Sequence, residues 1–426
     1  HINMKRYNAY KDSGVKWIGE IPSHWGCIKI KHLLKERVEK SADGIGEPLS
    51  MSQKFGLIPT SQMDIVPNAA TSYIGAKHTH RGDMVLNKLK AHLGVFALSS
   101  YDGLVSPDYA VYYGTGRADM EFLEYLFKTP LYVSEFIKKT TGVAIGFNRL
   151  YTDDLFSISA HYPPLHEQQA IVGYLKDKTL KIEQYVSARE RERELLDSLK
   201  QSEIANVVTK GLTPNVKMKD SGIPWIGMIP EHWEVKKIRS CFSERREKVS
   251  DKDFDPLSVS KMGITPQLET AVKTDNGDNR KKVCKGDFVV NSRSDRKGSC
   301  GVSEYDGSVS LINIVLCPRN VVARYYHFLF RSNNYIEEFY RQGRGIVADL
   351  WTTRYSEMKS IYIPVPPLSE QQAIVDYIDF KLQKIDQYLA DLQTEIDYLK
   401  EFKQRLISDV VTGQIRVAEP QKGEQQ

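Results

Sequence analysis

The chain is poor in cysteine, has no long apolar run, and lacks the glycine-rich loops that hold nucleotides. Its five cysteines (Cys27, Cys241, Cys284, Cys300 and Cys317) form no C-x-x-C pair and no metal-ligand spacing. Such an odd, scattered set suits reduced thiols in a cytosol better than a disulfide framework. No stretch approaches the ~18 consecutive apolar residues of a membrane span. His1 to Asn3 precede Met4 without a signal-peptide pattern and are left out of fold reasoning. A cytoplasmic location is therefore expected. Neither G-x-x-x-x-G-K-[ST] nor a strand-following G-x-G-x-x-G occurs, so a P-loop or dinucleotide loop has no residues to build it. The Asn/Asp-Pro-Pro-aromatic motif of amino-methyltransferases is missing too, because both Pro-Pro pairs precede leucine. His78-x-His80 resembles a metal pair but has no third ligand at suitable spacing, and no metal site is expected.

What is present is length and repetition. At 426 residues, with 41% apolar and 27% charged residues, the chain is globular in composition and too long for one ordinary domain. A formal charge of +5 permits an acidic partner without requiring one, so the position of the charge matters more than its sum. KDSGVKWIGEIPSHW (Lys11 to Trp25) returns as KDSGIPWIGMIPEHW (Lys219 to Trp233), 208 residues later. PPLHEQQAIVGYLKDKTLKIEQY (Pro163 to Tyr185) returns as PPLSEQQAIVDYIDFKLQKIDQY (Pro366 to Tyr388), 203 residues later. Two long, ordered matches at nearly one offset make the chain a tandem duplication.

Between these matched ends the halves keep a frame and change its content. Arg81-Gly82-Asp83 before MVLNK parallels Lys285-Gly286-Asp287 before FVVNS, and Tyr101-Asp102-Gly103 parallels Tyr305-Asp306-Gly307. The apolar strands YAVYY and NIVLC follow, then helix-like stretches over Asp119–Lys128 and Leu131–Lys139 and over Val321–Ser332 and Asn333–Arg341. Asp108 opens no nuclease-like carboxylate set, since no Glu-x-Lys follows at a suitable distance and its counterpart is Ile312. No catalytic residue is assigned.

The shared tails read as helices. After Pro366-Pro367, Ser369 and Gln372 give a capping-box signal. Ile378, Ile385, Leu392, Leu399 and Leu406 then recur every seventh residue, flanked by Leu382, Leu389, Ile396 and Val410, and Gly413 marks the end. The first copy supplies Leu175, Ile182, Leu196 and Val207, interrupted by Arg189 and Arg193. The best partner for each helix is the other copy, paired antiparallel. A helix of some 44 residues would span roughly 65 Å and act as a ruler with a reader at each end. The fold class expected is α+β: two mixed α/β domains joined by two long antiparallel coiled-coil helices, with a pseudo-two-fold internal repeat. The boundaries expected are 4–160 and 212–363 for the domains, 163–211 and 366–413 for the helices, and 414–426 for a disordered tail.

A ruler with two readers suits a polymer with fixed-distance targets, and DNA is one. Cations would meet phosphates, and planar hydrogen-bonding groups would meet base edges. The candidates in the first domain are Lys88, Lys90, His92, Asn148, Arg149 and Tyr151. Those in the second are Arg293, Arg296, Lys297, Arg341, Arg344 and Arg354. Each could equally be a solvated surface charge. Trp17, Trp25, Trp225 and Trp233 read as cores of the repeated segments rather than stacking platforms.

Across essentially its whole length the chain resembles the specificity (S) subunits of type I restriction-modification systems, the HsdS family. The resemblance rests on the doubled WIGxIPxHW segment, the GDMVLNK-type strand, Ser106-Pro107-Asp108-Tyr109 and the doubled PPLxEQQAIV helix start. The second half departs with Ser-Leu-Ile in place of Ser-Pro-Asp. The resemblance implies two target-recognition domains, each reading one part of a split double-stranded DNA sequence. It also implies that the helices set the spacing and dock two modification (methyltransferase) subunits, with restriction subunits added to the complex. S-adenosylmethionine, ATP and Mg would belong to those partners and none to this chain. The alternative is a coiled-coil protein–protein adaptor without DNA specificity; a self-sufficient nuclease or methyltransferase would need motifs the chain lacks.

Overall fold

The computed structural model describes residues 5–52, 55–63, 72–89, 94–141, 149–268, 277–345 and 351–417. Two compact units emerge, His1–Arg189 with Thr394–Gln426, and Glu190–Gln393. Each long helix therefore contributes one stretch to each unit.

Each unit is built on the same four-stranded antiparallel sheet. In the first the order is Leu34–Arg37, Tyr109–Gly114, Met84–Asn87, Phe96–Leu98. In the second it is Phe242–Glu244, Asn313–Pro318, Phe288–Asn291, Cys300–Val302. Registers match as well: Val111 lies opposite Val85, and Val315 opposite Val289. Side chains alternate across the pleat, which explains why these strands are apolar on both faces. Met84, Leu86, Phe96, Ala110 and Tyr112 join the main core with Phe122, Phe127 and Phe136. Val85, Ala97 and Val111 face the other way, onto Leu49, Leu57 and Val105. The second unit repeats both layers, with Phe288, Val290 and Leu316 on one face and Val289, Val315 and Leu257 on the other.

The four helix-like stretches fall where the pattern places them, at Met120–Phe127, Pro130–Lys139, Ala323–Leu329 and Asn333–Arg341. Asp119 caps the first by accepting from the Glu121 and Phe122 amides. Thr129 caps the second by accepting from the Tyr132 amide, with Pro130 in its first turn.

The long helices run over Leu165–Lys210 and Leu368–Val411. The capping box read at Ser369 and Gln372 does not form. The helix starts one residue earlier, the Pro367 carbonyl accepts from the Glu370 and Gln371 amides, and the Gln372 side chain donates to Asp376 instead. Pro164 does the same for Glu167 and Gln168. Along the helix pair, Leu175, Ile378, Leu392 and Leu406 are buried, and Ile182, Leu196, Ile385 and Leu399 are half-buried. Polar contacts between the helices run antiparallel in each unit. Lys403 reaches Glu183, and Tyr185 and Arg189 reach Glu395, in the first. Arg193 reaches Gln393, Glu192 meets Tyr388, and Glu203 meets Tyr377, in the second. The arginines that interrupt the heptad thus face a carboxylate and an amide on the other helix.

The two repeated motifs explain each other. Glu167, in the first turn of its helix, accepts from the Tyr7 hydroxyl (2.6 Å) and meets His24 (2.8 Å). Glu370 meets His232 (2.6 Å) and accepts from the Trp233 indole (2.9 Å). The next residue is a fully enclosed glutamine in both copies. Gln168 donates to the Pro163 carbonyl and accepts from the Asp119 amide, while Gln371 donates to Pro366 and accepts from the Val322 amide. WIGxIPxHW and PPLxEQQ are therefore two sides of one joint. Trp25 and Trp233 are wholly buried, and Trp17 and Trp225 pack edge-on against Tyr132 and Tyr335. The tryptophans are core.

At the far ends of the helices the same joint recurs. Gly211 (φ 75°) ends the first helix against Trp233, and Gly413 (φ 76°) ends the second against Pro22 and Trp25. A side chain at Gly413 would collide with the proline ring 2.6 Å away. Past Gly413, Ile415 is buried and the Arg416 amide donates to the Lys5 carbonyl. Residues 414–417, where a disordered tail was expected to begin, thus make defined contacts, and 418–426 lie outside the described residues.

Candidate nucleic-acid interface

Both sheets carry a matched electrostatic frame on the strand next to the central one. Arg37 makes a bidentate pair with Asp83 (2.7 and 3.1 Å), and Arg245 makes the same pair with Asp287 (2.7 and 3.0 Å). Both aspartates are almost fully buried and sit after the turn glycines. Glu36 meets Lys77 at 3.4 Å, and Glu244 meets Lys281 at 3.5 Å. These pairs fix the backbone on which the variable residues stand.

In the first domain Lys88 follows strand Met84–Asn87, and its carbonyl accepts from the Leu150 amide (3.2 Å). The register that sets Tyr109 opposite Asn87 brings Asp108 alongside Lys88. Arg149, held by paired backbone bonds with Thr141, meets Asp108 at 3.5 Å, while its Nε is enclosed without a hydrogen-bond partner. Burial holds the Lys88 ammonium below the ordinary lysine range; Lys77 and Arg149 push the same way, and Glu36 and Asp108 oppose them. Three cations against two carboxylates in a half-buried cluster leave a place suited to an anionic oxygen. Tyr151 stands exposed beside it, just before the short helix Thr152–Ser157. Lys90, His92 and Asn148 lie outside the described residues.

The second domain gathers its candidates unevenly. Backbone bridges of Arg293 and Arg344 to Thr352 set these loops side by side. Four of the six candidates stand in ion pairs with three carboxylates. Arg293 and Arg296 share Asp295 (3.1 and 3.7 Å), Lys297 meets Glu337 (2.9 Å), and Arg341 grips Glu338 (2.7 Å). Arg344 and Arg354 carry no ion pair among the described residues. Arg354 lines a cleft of about 360 Å³ with Arg246, Lys248, Lys281, Glu244, Leu311 and Tyr355. Arg246, Lys248 and Lys281 were not among the residues read from sequence. The signal was in the repeat: ERVEK (Glu36 to Lys40) aligns with ERREK (Glu244 to Lys248), and the one substitution sets Arg246 where Val38 stands.

His80 bonds Asp102 (3.2 Å), and no group of three His, Cys, Asp or Glu side chains placed to hold a metal occurs among the described residues. No helix among them is long and apolar enough to cross a membrane. A twice-built α+β frame on long helices, bearing a different cation set in each copy, is the class of fold these residues define.

Comparison with known proteins narrows this class. Residues 230–397 match the profile of the type I restriction modification DNA specificity domain. A protein of Methanocaldococcus jannaschii, assigned as the MjaX specificity subunit of a type I restriction enzyme, is 23% identical over 448 aligned residues, covering 96% of this chain and 98% of that protein. Two solved structures share the fold. One is a chain from work on complex assembly and conformational transition of the type I R-M system (TM-score 0.66, 16% identity, 92% of this chain and 98% of that one). The other is the HsdS subunit of Thermoanaerobacter tengcongensis (TM-score 0.52, 16% identity, 93% and 98%). Over nearly its whole length the chain is similar to a type I restriction enzyme specificity subunit, and residues 230–397 carry the match to the DNA specificity domain.

Proposed function

We propose that this chain is the sequence-specific DNA-recognition subunit of a type I restriction-modification complex, each domain reading one half of a bipartite target. The observation that carries this is the pairing of one retained frame, Arg37–Asp83 and Arg245–Asp287, with different cation sets standing on it. A shared scaffold holding unlike contact residues is what reading two different half-sites requires. The adaptor alternative finds no support among the relatives, which are specificity subunits.

The chain works beside modification subunits, taken here as two, and restriction subunits. The long helices offer surface for docking: Leu195 (71% exposed), Leu199 (59%) and Tyr398 (68%) are large apolar groups with water over them. S-adenosylmethionine, ATP and Mg belong to the partners, and the complex operates in the cytoplasm.

The deciding experiment is methylome sequencing of cells carrying this chain with its modification subunits. One bipartite adenine-methylated motif is expected. Exchanging residues 30–158 for those of another specificity subunit should change one half of the motif and keep the other; a motif indifferent to the exchange rules the reading out.

A further inference from the structure

The residues around Arg354 have positional counterparts in the first domain, and comparing the two sets isolates the positions that differ. Bridges Thr141–Arg149 and Arg344–Thr352 match, so Tyr151 and Arg354 hold the same place, each just before a short helix (Thr152–Ser157; Tyr355–Met358). One residue beyond the Arg–Asp pair, Val38 (70% exposed) matches Arg246. Glu36 with Lys77 and Glu244 with Lys281 form the shared floor. An apolar and aromatic edge in one domain is thus an arginine edge in the other.

We propose that Arg246 and Arg354 form the guanine-reading edge of the second domain. This rests on the reading of the chain as a DNA specificity subunit. Arg354 is exposed and carries no ion pair among the described residues, so its guanidinium fork is available to a base. Arg246 is mostly exposed and held by Glu244 through Nε (2.7 Å), which orients the fork rather than hiding it. Two parallel N–H donors match guanine O6 and N7 in the major groove, a match that lysine lacks. Lys248 adds positive charge beside the fork, fitting a flanking phosphate, while Lys281 is held by Glu244 (3.5 Å) and the Asn313 carbonyl (2.7 Å). Arg293, Arg296, Lys297 and Arg341 do not line this cleft and are not part of this edge.

The test uses the full chain assembled with its modification subunits and methylation of a randomised-sequence plasmid library. The wild type should give a bipartite motif in which the half altered by Arg354→Ala contains guanine. In Arg354→Ala and Arg246→Ala, preference at a guanine of that half should fall roughly 10- to 100-fold, with the other half unchanged as the internal control for folding. Arg354→Lys, which keeps the charge and loses the fork, should relax the same position. Arg149→Ala should act on the opposite half. The assignment is overturned if the affected half has no guanine, if the variants slow methylation uniformly without changing the motif, or if Arg354 and Arg149 act on the same half. A wild-type complex with no motif at all instead removes the underlying reading, and the assignment with it.

Discussion

In the first domain Arg37 and Asp83 close the same bidentate pair that Arg245 and Asp287 close in the second, yet one residue further on Val38 gives way to Arg246. Similarly, Gln168 and Gln371 make identical bonds at the helix starts, while Tyr151 and Arg354 share a position and nothing else. Duplication has preserved what is enclosed and hydrogen-bonded and released what faces outward. The reason is energetic: an enclosed amide or carboxylate left without its partner costs about 1–3 kcal/mol or more, whereas an exposed substitution typically costs within about 0.5 kcal/mol. Supports resist change, and reading edges are free to vary.

The largest break in this comparison should come from the helices both halves share. Leu392→Asp with Ile396→Asp puts charges into positions 2% and 1% exposed. A loss of several kcal/mol is expected, at least about 2–5, and with it methylation of both half-sites. Thermal unfolding and motif mapping check this; a variant that still recognises a bipartite site refutes the ruler.

Next come the paired glutamines. Gln168→Ala and Gln371→Ala should each cost about 1–3 kcal/mol, because each orphans a buried helix-start amide and a proline carbonyl. Near-equal values from denaturant unfolding would confirm that the two joints are one design; a threefold difference would show they are not.

Acid should then separate the halves through one histidine in each. Burial lowers His161 to about 4 and His327 to about 3, the latter helped by Arg331 and Arg324. His161 is neutral in the fold, its Nε2 donating to the Val411 carbonyl and its Nδ1 accepting from Tyr132. Because folding depresses both values from about 6.5, their stability contribution is complete above pH ~6.5 and is lost as pH falls toward about 4 for His161 and about 3 for His327. The total is on the order of a few kcal/mol. Unfolding free energy measured across this window should flatten in its upper part for His161→Gln, and a profile unchanged by that substitution would contradict the assignment.

The smallest effect concerns Lys88. Lys88→Ala should weaken DNA binding about equally for all sequences and lower the slope of log affinity against log salt by ~1. Titration at several salt concentrations distinguishes this from the sequence-selective effect expected at Arg354.

Much of this architecture was legible before any coordinates. The repeat, the central strands, the four short helices and the heptad row all follow from local periodicity and turn residues, which act over a few residues. The helix start at Leu368 was misplaced because a proline carbonyl can accept the first amides without any side-chain cap. The cation sets were the least legible. Counting basic residues did not weigh Asp295, Glu337 and Glu338, which pair with four of them; Asp295 lies between Arg293 and Arg296, Glu338 three residues before Arg341, and Glu337 40 residues from Lys297. Nor could it add Arg246 and Lys281, which join Arg354 only because antiparallel pairing brings distant strands to one edge.

The joint at Gly413 has one more consequence. Trp25 receives the end of the second long helix without a covalent link, as Trp233 receives the end of the first through a continuous chain, and Lys5 already bonds Arg416. The order in which a chain visits these joints is therefore not dictated by the contacts. A gene opened near Gly211 and closed from Val417 to Lys5 would encode the same set of joints in a different order, and each half becomes an interchangeable cassette. Recombination between such genes at the repeated segments would trade one reader while keeping the other, so new combined targets can arise without any new fold.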